Sequence, residues 1–183
     1  MTSLDRFDRS AATATAVIDS VTSQQYDDPT PCSDWTVRQL LNHVIGGSKM
    51  FTVMLTGGAP VDRTADHVGP DHAASFRSAI SDLRAAFAAD GALDGTYQGP
   101  LGETSGAFLM RMRVNEMMVH SWDLARATGQ STDLDPELAA ECIEDIRRVL
   151  EAGRGAPMFK PMQPAGSEAT VADQLAAMAG RTV

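Results

Sequence analysis

The chain has two cysteines, Cys32 and Cys142, far apart and each without a second cysteine nearby. That excludes a thiolate zinc knuckle and a disulfide framework, so any bound metal must use histidine and carboxylate. Clusters of Lys and Arg are missing, and the formal net charge is -9. Affinity for nucleic acid rests on neutralising phosphates, so the expectation is no nucleic-acid partner. Long apolar runs are absent too, and Met1-Thr2-Ser3-Leu4-Asp5-Arg6-Phe7 mixes acid and base where a secretory leader would be continuously apolar. No membrane partner and a cytoplasmic location are therefore expected. There is no internal repeat and no low-complexity tract.

What is present fits one globular domain: 183 residues, 43% hydrophobic and 21% charged. Its patterning is helical. Leu4, Phe7, Ala11, Ala14, Ile18 and Val21 form one apolar stripe that ends before Pro29. Thr36 and Gln39 have capping-box spacing ahead of Leu40, Leu41 and Val44, and Gly57-Gly58 can close that helix. Pro70 suits the first turn of a third helix carrying Phe76, Ile80, Leu83 and Phe87, with Gly91 past its end. A Gly-rich stretch follows, with room for a short extended segment around Tyr97 and Leu101. The fourth helix begins near Thr104 to Ala107 and runs to Gly129. Asp135-Pro136 starts a fifth, with Leu138, Cys142 and Ile146 inward and Gly153 at its end. Thr170 caps a short helix with Val171, Leu175 and Met178. Helices on short loops predict an all-α antiparallel bundle over 1–153, with a tail over 154–183 that carries a short helix and packs on the same domain.

The most informative feature lies on the fourth helix. Glu116 and His120 are four residues apart, so their side chains stand about 40° apart around the axis and point into the same space. Val114, Met117, Met118 and Leu124 surround them, which turns this face inward. A buried carboxylate needs a partner, and a metal ion is one. Of the other histidines, His43 sits among Leu40, Leu41, Val44 and Ile45 and is the natural third ligand. His67 and His72 flank Gly69-Pro70 in polar surroundings and are read as solvated loop residues. Two imidazoles and a carboxylate suit Zn²⁺, Ni²⁺ or Fe²⁺ with positions left open. The competing readings are an exposed ion pair for Glu116 and His120, and a hydrogen-bonded core histidine for His43.

Neighbouring residues carry narrower readings. Trp35 and Trp122 are expected as core or pocket-wall aromatics. Asp123 either orients a ligand or pairs with Arg126 or a neighbouring helix end, and spacing does not decide between these. Cys32 is not assigned a catalytic role, a lone cysteine being more often a small buried hydrophobe. Arg111 and Arg113 are candidates for attracting a carboxylate substrate, with surface charge as the alternative. No catalytic residue is assigned.

Two stretches carry a family resemblance. They are Thr30-Pro31-Cys32-Ser33-Asp34-Trp35-Thr36-Val37-Arg38-Gln39-Leu40-Leu41-Asn42-His43 and Asn115-Glu116-Met117-Met118-Val119-His120-Ser121-Trp122-Asp123-Leu124-Ala125-Arg126-Ala127-Thr128-Gly129. They resemble the signatures of the mycothiol-dependent maleylpyruvate isomerase metal-binding domain family, within the DinB-like superfamily. The resemblance spans nearly the whole chain, including a tail similar to the closing segment of a single-domain branch. It implies a DinB-like antiparallel four-helix bundle with additional short C-terminal helices, and metal ligands at His43, Glu116 and His120, with Zn²⁺ the first choice and Ni²⁺ or Fe²⁺ behind it. It also implies a low-molecular-weight thiol such as mycothiol as cosubstrate. The isomerase itself carries a second, C-terminal domain that contributes to its active site, so the expectation here is metal-dependent transfer of a thiol to a small electrophile. The alternatives are a non-catalytic metal-containing binding or stress-response protein and a metal-dependent hydrolase. Monomer and homodimer are both compatible with the sequence.

Overall fold

A computed structural model describes residues 3–32, 35–99, 102–152 and 160–183. Six α-helices dominate them: α1 (Ser3–Asp19), α2 (Val37–Thr56), α3 (His72–Ala88), α4 (Gly106–Ala127), α5 (Pro136–Glu151) and α6 (Val171–Met178). One 3₁₀ turn, Ser23–Gln25, follows α1. The Gly-rich stretch forms an antiparallel hairpin of β1 (Thr96–Gly99) and β2 (Gly102–Ser105), with Tyr97 opposite Thr104. This gives the expected extended segment around Tyr97 a partner strand, while Leu101 lies outside the described residues.

Local chemistry sets the helix ends. At α2 the Gln39 amide donates to Thr36 Oγ1 (3.4 Å) and the Thr36 amide donates to Gln39 Oε1 (2.9 Å), the reciprocal box expected from the spacing. The helix closes at Gly57, whose φ of 80° is a conformation that side chains rarely adopt. The third helix starts later than Pro70 suggested. Asp71 accepts from the Ala74 amide (2.9 Å) and is the N-cap, which leaves Pro70 outside the helix. Asp135 caps α5 through the Leu138 amide (3.1 Å) with Pro136 in the first turn, and Thr170 caps α6 through the Asp173 amide (3.1 Å). Gly153, the expected end of α5, lies outside the described residues.

The core explains why α4 differs from the rest. Helix α1 packs against α3 and α4, α2 against α3 and α4, and both α5 and α6 against α4. Surrounded in this way, α4 buries Leu109, Val114, Met117, Met118, Trp122 and Leu124 on several faces. It also buries Arg113, Asn115, His120, Ser121 and Asp123. Polar groups in such a place need partners or ligands. The tail shares this core, since Ala172, Leu175 and Ala176 of α6 belong to the same apolar cluster as Trp122 and Ile146. No helix among the described residues is long and apolar enough to cross a membrane.

Candidate functional site

The side chains of His43, Glu116 and His120 line one cavity where α2 crosses α4, although no choice of one donor atom from each brings all three within 4.8 Å of one another. The His43 and His120 rings stand edge to face with centroids 4.9 Å apart, and His43 Nε2 lies 4.0 Å from Glu116 Oε1. That separation is too long for a hydrogen bond. It matches two ligands sharing an ion, since donor atoms each about 2.1 Å from a metal stand roughly 3–4 Å from each other. All three residues line a cavity of about 280 Å³, together with apolar Phe108, Met112 and Val119.

His120 is the most constrained of the three. Its Nδ1 donates to Asp123 Oδ2 at 3.0 Å, which leaves Nε2 as the remaining ring nitrogen with its lone pair available. Asp123 is fully buried and is gripped from the other side by Arg181, whose Nε and Nη2 donate to its two oxygens at 3.0 and 2.8 Å. Burial alone would raise the Asp123 pKa, but the hydrogen bonds from His120 and Arg181 outweigh it and hold the carboxyl below its ordinary range. The same pairing overcomes desolvation at Arg181 and raises its guanidinium pKa. Asp123 therefore orients the His120 ring, and its cationic partner is Arg181 rather than Arg126.

Glu116 is steadied by Arg113, three residues earlier on α4, whose Nη1 donates to Oε2 at 3.2 Å. This corrects both readings of Arg113, which is neither a surface charge nor open to substrate. It is completely buried, and its Nη2 also donates to the Val44 carbonyl (2.6 Å) and to Ser48 Oγ (2.8 Å) on α2. Burial lowers its pKa against the opposing pull of Glu116. Arg111 is exposed and lies over the Phe108 ring, 5.7 Å from its centroid.

His43 is held differently. Its ring stacks against Trp35 at 4.5 Å between centroids, so Trp35 is a pocket wall, whereas Trp122 is a core residue that donates to Asp173 Oδ1 at 2.7 Å. Desolvation, helped by His120, lowers the His43 pKa to about 4, with Arg63 among the further groups that lower it. The imidazole is therefore neutral at physiological pH, the form that coordinates a metal.

A second donor group is close at hand. One ligand atom each from Cys32, His120 and Asp123 can be chosen so that all lie within 4.8 Å of one another. This set is unsuited to a cation, because Arg181 already occupies it: Nη2 reaches Cys32 Sγ at 3.3 Å as well as Asp123. A metal there would face a guanidinium at contact distance and displace a buried ion pair. In the His43, Glu116 and His120 set a guanidinium is also present, but Arg113 holds Glu116 Oε2 and leaves Oε1, the oxygen that faces His43, without a hydrogen bond from it. The other two histidines serve structure. His72 donates to the Ile18 carbonyl (3.0 Å) and accepts from Tyr26 Oη (2.9 Å), and His67 donates to the Asp62 carbonyl (2.9 Å).

Arg181 is the functional residue that sequence reasoning missed. It lies in the closing tail, far from either signature stretch, and nothing local marks it as a partner of α4. The Gly46-Gly47 pair was a readable signal, since glycine inside a helix is unfavourable unless something approaches closely. A Cβ on Gly47 would meet Arg113 Nη1 at 3.1 Å, and one on Gly46 would meet His67 Cδ2 at 2.6 Å.

The family model described as the mycothiol maleylpyruvate isomerase N-terminal domain matches residues 7–125, a span that holds His43, Glu116 and His120. Uncharacterized proteins of Mycobacterium tuberculosis, from strains CDC 1551 / Oshkosh and ATCC 25618 / H37Rv, are each 40% identical over 171 residues, covering 92% of this chain and 91% of theirs. Crystal structures of the mycothiol-dependent maleylpyruvate isomerase and of its histidine-to-alanine mutant align with a TM-score of 0.59 at 14% identity, over 84% of this chain and 72% of that one. At that identity they establish likeness of fold. The chain belongs to the mycothiol maleylpyruvate isomerase N-terminal domain family.

Proposed function

We propose that this chain is a cytoplasmic, divalent-metal-binding enzyme that transfers a low-molecular-weight thiol, mycothiol or one like it, to a small electrophile. In this reading its fold is a DinB-like antiparallel four-helix bundle with a C-terminal tail over 154–183. The ligands are His43, Glu116 and His120, with Zn²⁺ as the ion that suits two imidazoles and one carboxylate. The observation that carries the proposal is the graded preparation of those side chains. His43 is neutral, Glu116 Oε1 faces it at 4.0 Å, and His120 is oriented through Nδ1 by a buried carboxylate. A divalent ion bound there supplies the Lewis acidity that lets a thiol lose its proton near neutral pH.

The remaining work belongs to the chain. Asp123 keeps His120 in one tautomer, with the proton on Nδ1, and Arg181 keeps Asp123 anionic. Arg113 fixes one oxygen of Glu116 and so keeps the carboxylate from rotating away. Phe108, Met112 and Val119 line the cavity and exclude water, which protects a thiolate from competing hydration. No protein nucleophile is required.

Elemental analysis of the purified protein tests the ligand set. Near-stoichiometric metal in the wild type and a large loss in His43→Ala are expected, and equal metal in both would overturn the assignment. Incubating the metal-loaded protein with mycothiol and monochlorobimane tests the transfer, in which the sulfur–carbon bond forms as chloride leaves. Metal-dependent turnover is expected. Tight thiol binding with no rate above background would instead support a binding protein.

A further inference from the structure

A second, larger cavity of about 560 Å³ lies on the other side of His43. It is walled by α2 and by the loop that joins α2 to α3, and it shares Trp35 and His43 with the smaller cavity. This volume is in the range of small-molecule sites.

The chamber is prebuilt. Asn42 Nδ2 donates to the Ala65 carbonyl (3.1 Å), while its Oδ1 accepts from the His67 amide (2.6 Å), so one side chain clamps the loop to α2. The His67 ring lies directly against Gly46, where any Cβ would collide with it. Asp62 Oδ1 accepts from both the amide and the hydroxyl of Thr64 (2.8 and 2.7 Å), which fixes the turn carrying Arg63.

Its charge runs against that of the molecule. The chain carries -9 overall, yet this chamber presents two guanidinium groups. Arg38 is answered by Asp66 at 2.9 Å. Arg63 is exposed and has no ion-pair or hydrogen-bond partner among the described residues. One uncompensated guanidinium balances one carboxylate and offers a fork that matches its two oxygens.

We propose that this chamber binds a carboxylate-bearing small molecule, with Arg63 pairing to the carboxylate. The far end of that molecule then lies beside His43 and Trp35. Its identification as the electrophile for thiol transfer rests on the function proposed above, whereas the anion site itself does not.

The test is calorimetric titration of the full chain with succinate and with its uncharged diamide, succinamide. Both the zinc-loaded protein and protein stripped by a chelator are titrated. Succinate should bind both forms, and succinamide should bind about tenfold more weakly or less, as expected for loss of one charge-assisted pair. Arg63→Gln should weaken succinate binding by about tenfold in both forms, while Arg126→Gln, on the exposed end of α4, should leave it unchanged. Succinate and succinamide binding alike, or Arg63→Gln binding like wild type, would overturn the proposal. Succinate binding that needs zinc and ignores Arg63 would place the anion on the metal, sinking the chamber while leaving the metal site intact. Arg63-dependent binding in a protein that transfers no thiol would keep the chamber and remove the transferase.

Discussion

The two helices that build the site hold His43, Glu116 and His120 in different ways. On α4, Glu116 and His120 each have a fully buried partner, Arg113 at 3.2 Å and Asp123 at 3.0 Å, and Asp123 is itself locked by Arg181. On α2, His43 has a stacked Trp35 ring and, among the described residues, no hydrogen bond to its imidazole. Helix α4 is surrounded on several faces, so the polar side chains it buries must be answered there, and among them only Arg113 Nε and Asn115 Oδ1 are left without a hydrogen-bond partner among the described residues. Helix α2 borders the larger cavity at His43, where solvent answers part of the need. One side of the site is thus fixed by hydrogen bonds, and the other side is adjustable.

Removing the brace on α4 should therefore cost far more than removing His43 on α2. Asp123→Ala leaves Arg181 buried without its carboxylate and should destabilise the metal-free protein by about 3–5 kcal/mol in urea unfolding. Metal-free His43→Ala loses one stacked, part-exposed ring and should cost about 1 kcal/mol by the same measurement. Equal losses would remove the distinction. In the zinc-loaded protein the ranking changes. His43→Ala should lose the ion, and a fold-competent Asp123→Asn should retain it with affinity reduced about 10–100-fold, the usual effect of disturbing a ligand's orienting partner.

The next effect is in pH. Because the folded-state pKa of His43 is lowered from 6.5 to about 4, the unfolded chain binds a proton between these values that the folded chain does not. The stability of the metal-free protein should therefore fall as pH drops from 6.5 toward 4 and cease falling on this account below that. His43→Asn should remove this component of the slope. An imidazole midpoint near 4 in an NMR titration of the metal-free chain would agree, and one near 6.5 would show that the α2 side is as wet as a surface.

The same contrast explains what could be read from the sequence. The inward face of α4 with Glu116 and His120, the apolar setting of His43 and the helix order were legible, because helical spacing, capping pairs and flanking apolar residues are local signals. Thr36 with Gln39, Asp135 with Pro136, and Thr170 all cap where their patterns predict. Pro70 misled because a proline outside a helix and one in its first turn look alike until Asp71 is seen to accept from Ala74. The brace was illegible. Arg181 reaches Asp123 across 58 positions of sequence, and Arg113 looks like a surface charge until α2 closes over it. Long-range ion pairs follow from packing, which periodicity does not encode. The chamber at Arg63 was missed for a related reason, since His67 in a polar stretch reads as solvated until Gly46 admits its ring.

The smallest effect separates the helices most cleanly. Thr36 caps α2 beside Trp35, and Ser105 caps α4 by accepting from the Phe108 amide at 3.3 Å. Replacing either with alanine removes one cap and should cost about 1 kcal/mol in unfolding free energy. Their consequences at the site should differ. Loosening the first turn of α2 lets Trp35 shift against His43, whose ring has no hydrogen bond among the described residues and is held by ring contacts alone, so Thr36→Ala should speed zinc loss to a chelator. Ser105→Ala frays α4 two turns before Arg113, and the buried pairs beyond that point keep Glu116 and His120 in place, so its zinc loss should match wild type. Equal acceleration in both variants would mean that global stability, and not the local hold on His43, governs release of the ion.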